Sequence, residues 1–261
     1  LWSEQGLGDT IQFCRYAILV AALGAEVVLE VDPALKAVAQ TMGNFQVIAI
    51  GEGFAPVDFQ TPLMSLPLVF KTDLATIPTA IPYFAADAGK KGSWAKRMDS
   101  SGKLKIGLAG SGNAGNTNDH RRSMPLQEFA PLLRLEGADF FLVQKDIRES
   151  DRAYLQQTPK LRPLAQDIAG FDDTAAIVAS LDLVISVDTS VAHLSGALGA
   201  PVWILLPWAP DWRWLLDRED SPWYPSARLF RQERAGDWQS LILRVAESLH
   251  ALLGKQAGTQ P

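Results

Sequence analysis

The sequence is poor in the residues that build disulfides and metal sites. Its 261 residues include a single cysteine, Cys14, and three histidines. One cysteine cannot form a disulfide within the chain, so nothing here demands an oxidising compartment. These four residues are also too few and too scattered for a structural zinc site. Because no signal-peptide pattern opens the chain, we expect a cytoplasmic location.

The sequence also lacks an excess of basic charge and an uninterrupted hydrophobic run. Its 24 lysines and arginines stand against 29 aspartates and glutamates, for a net charge of −5. We therefore expect no nucleic-acid partner, which a basic face would indicate. The longest apolar stretch, residues 17–31, contains Glu26 and Glu30, which argues against a membrane span. The chain does not begin with Met, and we expect it to be a piece of a longer protein.

Hydrophobic residues, 48% of the chain, recur in strand-like and helix-like patterns in two halves. We predict an α/β fold with two Rossmann-like halves of mainly parallel strands. The polar residues 87–103 are the predicted linker, with domains at 1–95 and 103–261 and a first strand truncated at its start. The predicted strands are 1–3, 25–31, 45–50, 81–85, 104–109, 139–143, 181–187 and 202–206. The predicted helices are 10–23, 33–41, 126–135, 150–157, 174–180 and 237–253.

The most informative segment is residues 188–201, which lies between the predicted strands 181–187 and 202–206. It predicts a short helix that begins with cap residues, Asp188 first, and ends at Gly-Ala-Pro. Strand, helix and strand in this order form the βαβ unit of a parallel sheet. The helix N-terminus of such a unit offers backbone N–H groups that favour a phosphate.

A glycine-containing turn with Gly6 and Gly8 follows the first predicted strand. Ligands gather outside the carboxyl ends of strands in open α/β sheets. Asp9 can therefore either cap the next helix or face an interdomain cleft as a general base. Glu4 is a second carboxylate in the same region.

A second glycine-rich turn, residues 110–115, matches the pattern G-x-G-x-x-G after a predicted strand. A dinucleotide site needs a helix next, but residues 116–122 are polar and predict a loop that lines a cleft. An NAD-dependent enzyme is therefore the weaker alternative here. Arg121 and Arg122 are either phosphate partners or a solvated basic pair.

Three further features are open to a functional or a structural interpretation. Lys145, after Gln144 at a strand end, can neutralise a leaving diphosphate or simply lie on the surface. His193, alone on its helix, is more often a packed or capping group than a catalyst. The tryptophan-rich residues 208–214 more often pack a domain or interface than form a stacking platform.

Residues 4–10, Glu-Gln-Gly-Leu-Gly-Asp-Thr, and residues 188–201 together resemble the heptosyltransferase-like glycosyltransferases. The resemblance is closer to the catalytic-like region at the end of bacterial tetratricopeptide-repeat proteins, which residues 208–218 and 221–225 match. It extends from Ser3 to about Leu253, and residues 188–201 are its more specific part.

The resemblance implies a GT-B fold, in which two Rossmann-like domains face each other across a cleft. It implies a nucleotide-sugar donor in the C-terminal domain, a glycan or protein acceptor, and upstream helical repeats in the full-length protein. It implies inverting chemistry that needs neither metal nor cofactor, with Asp9 as the catalytic base. Our candidate donor-binding residues are Asp188, Thr189, Ser190, Val191, His193, Gln144, Lys145 and Arg122.

The sequence departs from the heptosyltransferase pattern at one position that bears on catalysis. Heptosyltransferases carry a lysine in the loop after the first strand of the second domain, where this chain has Arg121 and Arg122. The alternative function is therefore a catalytically degenerate nucleotide-sugar-binding or scaffold module of a tetratricopeptide-repeat protein.

Overall fold

The computed structural model describes residues 1–99 and 102–257, which form two parallel β-sheets covered by helices. The strands are β1 (Val28–Val31), β2 (Gln46–Ala49), β3 (Leu104–Ala109), β4 (Ala138–Leu142), β5 (Leu161–Pro163), β6 (Leu183–Val187), β7 (Val202–Leu206) and β8 (Ala227–Arg231). The α-helices are α1 (Leu7–Phe13), α2 (Arg15–Ala22), α3 (Lys36–Ala39), α4 (Leu66–Val69), α5 (Ala88–Arg97), α6 (Asp119–Arg122), α7 (Ala130–Leu133), α8 (Glu149–Gln156), α9 (Phe171–Val178), α10 (Ser190–Ala197) and α11 (Trp238–Ala257). None of the helices in these ranges has both the length and the apolar character needed to cross a membrane.

The larger sheet contains six parallel strands in the order β5-β4-β3-β6-β7-β8. Its first strand in the chain, β3, lies in the middle, and the direction of winding reverses between β3 and β6. Every residue of β6 is buried, as expected for a parallel strand covered by helices on both faces. The predicted α/β fold with a parallel sheet is therefore confirmed. In open α/β sheets, ligands bind outside the carboxyl ends of the strands at this reversal point.

The smaller sheet is built around the first residues of the chain. Strands β1 and β2 are parallel, and Trp2 forms parallel bridges to Glu30 of β1 and to Pro62. The order in space is thus β2, β1, Trp2 and Pro62, so the winding reverses at Trp2 as well. Helix α1 begins a few residues after Trp2, at the carboxyl end of this sheet.

Helix α10 links the two sheets. It packs against β6 and β7 on one side and against α1 on the other. Ile11 of α1 and Leu194 of α10 are fully buried in the same hydrophobic cluster. A separate buried cluster, which includes Leu132 of α7 and Leu241 of α11, covers the other face of the larger sheet. The two predicted binding segments are therefore held together by a common core.

Several predicted elements differ from the structure. The helix predicted over 10–23 begins earlier and is interrupted at Cys14, between α1 and α2. The helices predicted over 33–41 and 126–135 each open with a 3₁₀ turn, so the α-helical parts are short. The strand predicted over 81–85 is wrong, because Tyr83 and Phe84 instead donate backbone N–H groups to the carbonyl of Ala197.

The predicted linker is largely helical. Asp87 caps α5 by accepting a hydrogen bond from the Lys90 N–H at 2.7 Å. The Lys90 ammonium lies 2.9 Å from an Asp173 carboxylate oxygen, and the Trp94 indole donates to the same oxygen at 3.3 Å. Ser100 and Ser101, also part of the predicted linker, lie outside the described residues. Helix α5 is therefore attached to α9, while the domain bounds 1–95 and 103–261 stay a prediction.

Candidate functional site

The start of α10 lies at the reversal point of the larger sheet, directly after β6. Thr189, and not Asp188 as predicted, is the N-cap residue, and no side chain caps the helix. The Thr189 hydroxyl lies 3.2 Å from that of Ser186 on β6. Because the first N–H groups of a helix have no partner within it, those of Ser190 and Val191 are available to a ligand.

Asp188 faces His193 rather than the helix start. One Asp188 carboxylate oxygen lies 3.6 Å from His193 Nε2, and both side chains are buried. Burial raises the pKa of Asp188, but the His193 contact and the Arg213 charge outweigh it, so this pKa lies below its ordinary value. Burial lowers the pKa of His193. At neutral pH, Asp188 is therefore ionised and His193 is neutral.

His193 is a packed group whose ring nitrogens both have neighbours. Its Nδ1 lies 2.9 Å from the Tyr224 hydroxyl, and its ring stacks on Trp214 with 5.4 Å between centroids. We assign the Nε2–H tautomer, because the Asp188 carboxylate is only an acceptor. Nδ1 then accepts a hydrogen bond from the Tyr224 hydroxyl. This placement agrees with the structural interpretation of a lone helical histidine.

The loop after β3 is held by Gln144. The Gln144 side-chain oxygen accepts hydrogen bonds from the N–H groups of Gly110 and Ser111, at 2.8 and 3.2 Å. Its amide nitrogen donates to the Ser111 hydroxyl at 2.9 Å. Gln144 is buried, and its hydrogen bonds fix the backbone of this loop. Lys145 donates to the carbonyl of Ala169 at 3.1 Å.

Arg122 lies beside the start of α10. A Cβ built on Gly112 would be 3.2 Å from Arg122 Nη2 and 3.3 Å from Thr189 Cγ2, so both groups border the Gly112 backbone. The predicted loop 116–122 contains the one-turn helix α6. In the described part of the chain, no helix begins at Gly115, as a dinucleotide fingerprint requires. Arg121 is exposed.

Asp9 lies in the first turn of α1, whose N-cap is Gly6, so Asp9 is not the cap. Its carboxylate forms an ion pair with the Arg213 guanidinium group. Gly8 packs directly on His193, since a Cβ there would lie 2.7 Å from His193 Cδ2. Glu4 accepts a hydrogen bond from the Met64 N–H at 3.2 Å. The turn with Gly6 and Gly8 is therefore joined to α10 and to the loop after β7.

Arg213 is a buried site residue that the sequence pattern did not indicate. Burial lowers the pKa of this guanidinium, but the carboxylates of Asp9, Asp211 and Asp188 outweigh it and keep the pKa above its usual value. Arg213 Nε lies 3.5 Å from an Asp211 oxygen. Arg213 lies within residues 208–214, a segment whose tryptophans favour packing over a charged site. Trp214 at its side is fully buried, whereas Trp212 is exposed.

The site thus offers anion-binding and carboxylate groups but no obvious metal cage. In the residues that the structure describes, no group of three or more His, Cys, Asp or Glu side chains is arranged to hold a metal ion. The groups that can hold a ligand are the N–H groups at the start of α10, the Arg122 guanidinium and the Asp9 carboxylate.

Comparison with known proteins establishes the fold. No family model matches the chain. It is 26% identical over 271 residues to Protein FlbA of Caulobacter vibrioides, covering 95% of this chain and 45% of FlbA, so it spans about half of that relative. The ADP-heptose lps heptosyltransferase II of E. coli superposes with a TM-score of 0.66 at 16% identity, covering 98% of both chains.

Two further solved structures have the same fold. A glycosyl transferase family 9 protein from Veillonella parvula gives a TM-score of 0.68 at 12% identity, covering 97% of this chain and 96% of its own. The E. coli heptosyltransferase WaaC with ADP gives 0.55 at 10% identity, covering 98% and 99%. The chain therefore has the α/β fold found in heptosyltransferases and family 9 glycosyltransferases.

Proposed function

We propose that this chain is a glycosyltransferase module that transfers a sugar from a nucleotide-sugar donor to an acceptor hydroxyl. The observation that carries the proposal is the contact between the two predicted binding segments. Gly8 packs on His193 of α10, and Asp9 pairs with Arg213 beyond β7. Sugar transfer needs a base for the acceptor hydroxyl and a binding site for the donor diphosphate. The Asp9 carboxylate and the free N-terminus of α10 can supply these two groups, in a fold that heptosyltransferases also have.

The donor side is the start of α10. The N–H groups of Thr189, Ser190 and Val191 would hold the donor diphosphate, because a helix N-terminus combines unpaired donors with the positive end of the helix dipole. Arg122 adds a cation at the Gly112 backbone. Gln144 holds the backbone of the loop after β3 in place.

The acceptor side is Asp9. In an inverting transfer, this carboxylate takes the proton of an acceptor hydroxyl while the oxygen attacks the anomeric carbon. The bond from that carbon to the diphosphate oxygen breaks, and the departing diphosphate carries the negative charge. The helix N-terminus and Arg122 stabilise that charge, so no step requires a metal ion. Two domains that face each other across a cleft would bring both sides together.

Calorimetric titration with UDP, ADP, GDP and their sugar conjugates tests the proposal. We expect one nucleotide series to bind, with the same affinity in the presence of a metal chelator, because the phosphate ligands are N–H and guanidinium groups. Uridine, adenosine and guanosine are the controls and should bind far more weakly. If a folded sample binds none of the diphosphates, the proposal is wrong.

The ion pair of Asp9 with Arg213 favours a second candidate, a nucleotide-sugar-binding module without catalysis. In this pair one oxygen of the carboxylate that would act as the base contacts a guanidinium group. Under this alternative, the donor binds but is neither transferred nor slowly hydrolysed. Any turnover that depends on Asp9 eliminates it.

A further inference from the structure

We propose that Arg148 is a second cation of the diphosphate site, acting with Arg122. The inference rests on the proposed function, because it takes the start of α10 as the phosphate-binding segment. Arg148 lies in the loop between β4 and α8, three positions after the candidate Lys145, and was not itself a candidate. Its place next to Arg122 becomes evident only in the folded chain.

Asp119 brings the two arginines together. The Arg148 guanidinium forms an ion pair with one oxygen of the Asp119 carboxylate. Arg122 Nε lies 3.8 Å from the other oxygen. The Asp119 carboxylate is 6% exposed, whereas the side chains of Arg148 and Arg122 are 32% and 24% exposed. A buried anion thus holds two cations that a ligand can still reach.

Asp119, which holds both arginines, borders the start of α10. Ser123 donates a hydrogen bond from its hydroxyl to Asp119 at 2.7 Å and accepts one from the Gly112 N–H at 3.2 Å. The Cβ position of Gly112 is 3.2 Å from an Asp119 oxygen and 3.3 Å from the methyl group of Thr189. Asp119 and Arg122 therefore lie against the backbone that faces the N-cap of α10, and Arg148 lies on the other oxygen of the same carboxylate.

Charge balance separates this pair from Arg213. Two guanidinium groups share one carboxylate here, so the cluster carries an excess positive charge. Arg213 instead interacts with the carboxylates of Asp9, Asp211 and Asp188, and that cluster is negative overall. An anion is attracted to the first cluster and repelled by the second. The diphosphate belongs at Arg122 and Arg148.

The pair keeps hydrogen-bonding capacity for a ligand. Each guanidinium group has five N–H donors in a planar fork, and the single Asp119 carboxylate takes up only part of them. Phosphate oxygens fit such a group in a two-point contact. A diphosphate has enough oxygens to bind both side chains at once.

Titration of the Arg148→Gln variant with inorganic pyrophosphate tests the inference. We expect affinity to fall roughly tenfold, as for the loss of one charge-assisted hydrogen bond, and the loss to shrink as ionic strength rises. Arg148→Lys keeps the charge and should recover part of the affinity. The matched control is Arg152→Gln on α8, where Arg152 is 63% exposed and pairs with Glu149; its affinity should stay within about twofold of the parent, since exposed pairs contribute little.

Pyrophosphate binding and nucleotide-sugar binding can fail separately, so the two proposals are tested separately. If Arg148→Gln is folded and binds pyrophosphate as the parent does, while Arg122→Gln binds weakly, Arg148 only positions Asp119 and the inference is wrong. It is also wrong if Arg148→Lys binds no better than Arg148→Gln. Arg148-dependent pyrophosphate binding without binding of any nucleotide sugar would support the anion site and contradict the proposed function.

Discussion

Replacing Asp9 by asparagine should lower the rate of sugar transfer by about 10²–10⁴-fold, the usual contribution of a general base. The amide cannot take the proton of the acceptor hydroxyl, although its oxygen can still accept a hydrogen bond from Arg213. Donor affinity should hardly change, because the phosphate-binding groups lie at α10 and at Arg122. The measurement is turnover of the nucleotide sugar identified by calorimetry, with its affinity determined on the same sample.

The matched control for this variant is Asp211→Asn. Asp211 contacts the same guanidinium group, at 3.5 Å, and its side chain is partly exposed, but it lies outside α1. This change should leave most of the turnover intact. If Asp9→Asn loses donor affinity and turnover together, Asp9 is a structural partner of Arg213 and not the base.

Replacing Gly196 by alanine should destabilise the chain by about 2–3 kcal/mol, toward the upper end of the usual cost of overpacking. The new Cβ would clash with two ring carbons of Tyr224. Tyr224 has little room to move, because its hydroxyl bonds His193 and the Arg15 guanidinium lies 4.9 Å from its ring centroid. The measurement is the free energy of unfolding from denaturant titration.

The control is Gly92→Ala, at a helical glycine where the added Cβ has free space. Gly92 lies within α5, and no atom is within 4 Å of the position of its Cβ. Alanine there should stabilise the chain by roughly 0.5–1 kcal/mol, because it reduces the conformational entropy lost on folding. Equal stability of Gly196→Ala and the parent would show that Tyr224 and its neighbours are free to repack, against the tight packing described here.

The βαβ unit at 188–201 was predictable because its signals are local. Two apolar strands flank a helix that ends at glycine and proline, and the structure places β6, α10 and β7 there. The cap was mispredicted, because the Asp188 side chain faces His193, which the fold buries beside it. Helix α5 looked like a linker, because its polar face is exposed and its attachment to α9 is a tertiary contact.

The contacts of the candidate site were far less predictable. Asp9 and Arg213 are 204 positions apart, and no local pattern indicates that they pair. The sequence predicts Gly8 only as part of a turn. The structure shows that a side chain at this position would collide with His193. Arg148 lies in an ordinary polar loop, and only the fold brings it to Asp119. Residue spacing identified the segments, but tertiary contacts decide which side chains meet.

A crystal structure with the nucleoside diphosphate that binds most tightly tests the central claim most directly. We predict that the diphosphate lies within hydrogen-bond distance of the Ser190 and Val191 N–H groups and of the Arg122 guanidinium, with the sugar-bearing phosphate directed toward Asp9. A nucleotide bound elsewhere, with the start of α10 making no contact to phosphate, would contradict the account.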